Sequence, residues 1–200
     1  MAIYAESRGR ITEAEPVGLL TEGAAGIAVI VLSVIALAGI AVEGLVSIAT
    51  IVIGVGLMVQ AFNSAAEHAK AMTVGAEAGA RSVEPTGDVM ADCLCGVTGI
   101  VLGILALVGI NAAHLVPAAL IVFGGSLLLS GAMSMGDRGS AAAGGMEILI
   151  GMAAIVLGIL SLILMASSVL VLVGFIAVGA AMLLVSASFS GAMMRLLTAA

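Results

Sequence analysis

Forty-three consecutive residues, Cys93 to Met135, carry no Lys, Arg, Asp or Glu, and neither do the forty-seven from Ile148 to Met194. A third stretch, Gly23 to Phe62, holds a single charge, Glu43. Water cannot solvate so much uninterrupted apolar surface, and a bilayer demands it, because lipid rejects charge and any unpaired backbone group. Each stretch is about twice the roughly 20 residues that cross a hydrocarbon core, so each reads as two helices and a short break. The rest of the composition agrees. Only 9% of residues are charged and mean hydropathy is +1.35, against about 25% charged in a soluble domain.

The three stretches are versions of one unit. Asp92–Ala132 reads as an apolar helix, a five-residue break and a second apolar helix. Shifted back by 70 it falls on Glu22–Phe62, and shifted forward by 55 on Glu147–Ala187, both without gaps. Each alignment gives at least 15 identities over 41 positions, where so apolar a composition gives about 5 by chance; such self-similarity marks a repeated structural unit. The expected fold is therefore all-α, a polytopic membrane protein with six transmembrane helices arranged as three repeated hairpins.

The chain divides accordingly. Residues 1–21 form a polar N-terminal segment with Arg8, Arg10, Glu13 and Glu15, and a short amphipathic helix is expected from Pro16 to Thr21. The segment does not resemble a cleavable signal, since acidic residues separate its arginines from the first apolar run. Hairpin 1 spans residues 22–63, with helices near Gly23–Val42 and Leu45–Phe62. Residues 64–91 hold a helical extension, Asn63–Met72, and a Gly- and Pro-containing linker. Hairpin 2 spans 92–135, with helices near Cys93–Ile110 and Leu115–Met135, and Pro117 is expected in a first helical turn. A Gly-rich linker follows at 136–146. Hairpin 3 with a short tail takes 147–200, with helices near Glu147–Met165 and Ser168–Met194.

Charge sets the orientation. All six basic residues, Arg8, Arg10, Lys70, Arg81, Arg138 and Arg195, lie on the side of the termini and long linkers, and the three tight turns carry none. The positive-inside rule then puts both termini in the cytoplasm. The net charge of −6 and the lack of any basic cluster argue against nucleic acid as a partner and against recognition of anionic lipid.

The copies agree at particular small residues. Gly26, Gly96 and Gly151 coincide, and so do Gly54, Gly124 and Gly179. Gly99 and Gly103 form a GxxxG pair, replaced by Ala154 and Gly158 in the third copy and by Val29 and Ser33 in the first. Small residues let membrane helices approach closely, which is how they associate without a hydrophobic drive between them. These glycines are expected to pack helices within the chain, or else to join it to a second copy or to a larger membrane complex.

Each copy also opens on an acid: Glu22, Asp92 and Glu147, four residues before its shared glycine. Negative charge suits a helix start, and a carboxylate at the cytoplasmic interface can still reach water. The sharper reading is a ring of three carboxylates guarding a proton or cation path. Against it, the helix interiors offer little polar lining beyond Ser, Thr and Gln60. Cys93 and Cys95 point to different helix faces and lack the further ligands a zinc site needs. Glu43, Asn111 and His114 are the main polar groups of the turns, and a pH-responsive Glu43–His114 pair is conceivable. Walker, HExxH and GxSxG motifs are absent, so no catalytic, cofactor or metal residue is assigned.

The unit IVLGILALVGI followed by LVPAALIVFGGSLLLSG resembles the repeat of the HdeD-like family of small bacterial and archaeal membrane proteins. That resemblance implies three hairpins, a prokaryotic inner membrane and, in some members, a connection with acid or envelope stress. This chain has Asn111 and Ala112 where the family usually has Pro after the first helix. Two functions are carried forward: a non-enzymatic structural or accessory membrane subunit, and a small proton or cation channel or transporter.

Overall fold

A computed structural model describes residues 23–75, 87–134, 141–164 and 168–198. Regular structure among them is entirely helical. There are six helices: α1 (Gly23–Leu37), α2 (Val42–Gly75), α3 (Gly87–Leu107), α4 (Ala112–Ser134), α5 (Ala141–Leu164) and α6 (Ser168–Thr198). Helices α2 to α6 are each long and apolar enough to cross a membrane, and α1 is apolar but shorter. The described part of α1 rises only about 22 Å at 1.5 Å per residue. The expected helix at Pro16–Thr21, and Glu22, lie outside the described residues.

Helix ends depart from the sequence expectation in a consistent way. The first helix of hairpin 1 stops at Leu37, not Val42, and that of hairpin 2 at Leu107, not Ile110. The cause is a glycine stop. Gly39 and Gly109 sit at φ +85° and +88°, a left-handed conformation that only glycine adopts without cost. Gly109 N–H donates to Ala106 and Ile110 N–H to Leu105, the 5→2 and 6→1 bonds that close a Schellman cap. Ala41 and Asn111 also take positive φ, 43° and 49°, and turn the chain into α2 and α4.

These next helices begin earlier than expected, so Pro117 lies inside α4 and not in its first turn. Likewise α3 starts at Gly87, ahead of Cys93, and α5 starts at Ala141, inside the stretch expected as a Gly-rich linker. Ala141 to Ala143 are strong helix formers, and Gly144 is buried where it meets Gly131.

The helices form two shells. Half of the apolar span of α2 and of α4 is buried, and 44% of α6, against 28% for α3 and α5. Helices α2, α4 and α6 touch one another and form an inner bundle. Its seam is Val46, Ala49, Ile53 and Leu57 from α2; Val116, Ala119, Phe123 and Leu127 from α4; and Val171, Gly174, Val178 and Met182 from α6, all buried. The spacing is 3, 4, 4 in each helix, the period of a continuous helix–helix seam. These positions correspond under the same shifts of 70 and 55 residues. Helices α1, α3 and α5 lie outside and present their large apolar side chains outward, among them Ile27, Leu94, Val101, Leu149 and Ile163.

Candidate functional site

The closest helix approaches fall between consecutive hairpins. Helix α3 packs more extensively on α2 than on α4, and α5 more on α4 than on α6. Glycine makes this possible. A Cβ at Gly54 would stand 2.8 Å from the Gly96 carbonyl oxygen, and one at Gly96 2.8 Å from that of Gly54. Gly124 and Gly151 repeat the arrangement at 2.6 Å each way. Gly26 of α1 and Gly179 of α6 repeat it again, at 2.8 and 3.0 Å. The six glycines singled out in the sequence are therefore three reciprocal pairs, and the third pair joins the first helix to the last. Backbones this close leave no room for a side chain, and dispersion contacts replace any hydrophobic drive.

The GxxxG pair is also turned inward. Gly99 accommodates the ring of Phe123, and Gly103 faces Ile51 and the Ser47 carbonyl. Gly158 faces Ile121 and the Pro117 carbonyl in the matching place. In α1 that place is held by Ser33, fully buried, with a hydroxyl that has no hydrogen-bond partner.

The candidate carboxylates sit in these seams. Asp92, 3% exposed, precedes Gly96 by one turn on α3, whose Gly96 and Gly103 pack on α2; Glu147, 8% exposed, precedes Gly151 on α5, whose Gly151 packs on α4. Ser130 of α4 donates to Glu147 Oε2 at 3.2 Å. Burial of both acids replaces the expected access to water, because α3 and α5 begin five and six residues earlier and each acid lies inside its helix. The two belong to different helix pairs, and Glu22 lies outside the described residues.

Other polar groups are local. Ser47, Thr50, Ser126 and Ser186 return their hydroxyls to carbonyls three or four residues back, the usual way a polar side chain is satisfied inside an apolar helix. His114 Nδ1 lies 2.9 Å from Asn111 Oδ1, so its near neighbour belongs to its own turn. Cys93 and Cys95 are free thiols, half-buried. Among the described residues no group of three or more His, Cys, Asp or Glu is placed to hold a metal.

A cavity of about 160 Å³ opens at the end of the inner bundle that carries the short turns. Glu43, Val46, Val116, Pro117, Ser161 and Val171 are on its walls. It was not legible in the sequence, because its residues come from all three copies and only their convergence gives it meaning. Comparison with family models, curated proteins and solved structures gave no match.

Proposed function

We propose that this is a non-enzymatic integral membrane protein with a structural or accessory role, in the manner of the HdeD-like proteins it resembles. In this reading the chain crosses a prokaryotic inner membrane six times, with both termini in the cytoplasm. The observation that supports it most is the filling of the inner bundle. The seam is Val, Ala, Ile, Phe, Leu, Met and Gly, and the buried Ser47, Thr50 and Ser126 return their hydroxyls to their own helices, so the described residues form no polar row along which an ion or proton would move. The shared glycines are engaged within the chain, so contact with a second copy or another membrane protein falls to the lipid-facing side chains of α1, α3 and α5.

Purification in mild detergent tests this. A stable oligomer or a reproducible partner is expected, and a strictly monomeric, partner-free protein would count against it. The rival, a proton or cation pathway, has one observation in its favour: Asp92 and Glu147 are carboxylates buried within apolar helices, a placement that is costly and often functional. A liposome flux assay decides. Leak no greater than that of empty vesicles, unchanged by Asp92→Asn and Glu147→Gln, removes the rival; leak abolished by either substitution overturns the structural reading.

A further inference from the structure

The three copies are most alike along their glycines and valines, and most unlike at one end of the inner bundle. There the copies differ in their polar residues, and the differences meet in the 160 Å³ cavity. The first copy supplies Glu43, where the others have Ala113 and Ser168. The second supplies Pro117, where the others have Ser47 and Leu172. Proline has no N–H, so it cannot donate to the Ala113 carbonyl one turn back, and Ala113 is on the cavity wall. The third supplies Ser161, where the others have the buried alanines Ala36 and Ala106. Ser161 is only 6% exposed, and it is on the cavity wall. Beside them lie three equivalent buried valines, Val46, Val116 and Val171.

A hydroxyl that opens onto a cavity can bond to whatever occupies it. The polar set here is the Glu43 carboxylate, the Ala113 carbonyl and the hydroxyls of Ser161 and Ser168, which together can accept from a hydrogen-bond donor. Glu43 is exposed, and the three turns carry no Lys or Arg. The volume matches a cavity of about 150 Å³ that admits a molecule the size of benzene. Mostly apolar walls with a few polar groups are the usual make-up of a small-molecule site.

We propose that this cavity binds a small primary alkylammonium ion. The ammonium head is held at Glu43, with its remaining N–H groups directed to Ser161 and the Ala113 carbonyl, and the alkyl tail rests on the three valines. The starts of α2, α4 and α6 converge here and their partial positive charge opposes a cation, so binding rests on Glu43 and is weak.

The test uses the full chain in nanodiscs of phosphatidylcholine, whose headgroup is not a primary amine, with butylammonium as the probe and ligand-detected NMR as the readout. Saturable binding is expected. Glu43→Gln should weaken it about tenfold and Ser161→Ala about threefold, as loss of a charge-assisted and a neutral hydrogen bond would. Tetramethylammonium, with no N–H, and 1-butanol, with no charge, should each compete at least about tenfold less well. No saturable binding, or binding indifferent to Glu43→Gln, overturns the proposal. Equal competition by 1-butanol would make the cavity merely apolar, and equal competition by sodium would make it a metal-ion site; either result also overturns it. Both substitutions leave the glycine seams untouched, and an unchanged melting temperature confirms that the variants are folded.

Discussion

The seam between α4 and α5 and the seam between α1 and α6 are built on the same crossing and finished differently. Along α4–α5 glycine serves at three levels: Gly131 against Gly144, Gly124 against Gly151, and Gly158 against Pro117 and Ile121. Along α1–α6 it serves at Gly26 and Gly179, with Gly23 meeting Ser186 at one end and Ser33 standing where glycine stands in α3 and α5. The Ser33 hydroxyl is buried without a partner. One glycine pair thus sets where two helices cross, while the flanking positions set how well the crossing is satisfied.

The largest expected effect is at the tightest crossing. Gly124→Leu drives a branched side chain into the Gly151 backbone and should cost about 3 kcal/mol or more, read as loss of the folded protein in a detergent melt. Gly151→Ala should cost about 1–3 kcal/mol, since its Cβ would meet backbone on the facing helix. That Cβ would sit 2.6 Å from the Gly124 carbonyl oxygen, against 3.0 Å between Gly179 and Gly26, so Gly179→Ala should cost less. Equal costs at the two seams would erase the comparison.

Ser33→Ala acts in the other direction. It removes an orphaned hydroxyl and keeps the Cβ, so it should stabilise the protein by about 1 kcal/mol. Destabilisation of that size would mean that the hydroxyl has a partner. The smallest effect concerns the turns. Ala41 and Asn111 share a left-handed conformation that asparagine tolerates and alanine does not. Ala41→Asn should therefore add about 0.5 kcal/mol, and no gain would show that Ala41 escapes the strain.

Much of this architecture was written in the sequence. The charge-free stretches announce apolar helices, and the self-alignment marks Gly26, Gly54, Gly96, Gly124, Gly151 and Gly179 as equivalent. Which glycine faces which was not legible, because pairing between hairpins is a tertiary fact that local pattern does not carry. The early ends of α1 and α3 were signalled by Gly39 and Gly109, but apolar Ile40 and Ile110 let the helical pattern run on past them. Asp92 and Glu147 read as interfacial acids, since nothing in the chain order announces that α3 and α5 begin earlier and take each acid inside the helix.

The chain closes on itself, with the first helix docked on the last as α3 docks on α2 and α5 on α4. An ideal Cβ at Gly23 lies 3.7 Å from Ser186 Cβ, within the roughly 3.5–4.5 Å that a disulfide spans. With Cys93 and Cys95 replaced by alanine, Gly23→Cys and Ser186→Cys should oxidise to one intramolecular bond, seen as faster migration of the monomer on a non-reducing gel. Failure to cross-link, or a bond that forms only between two chains, would show that α1 does not complete the ring.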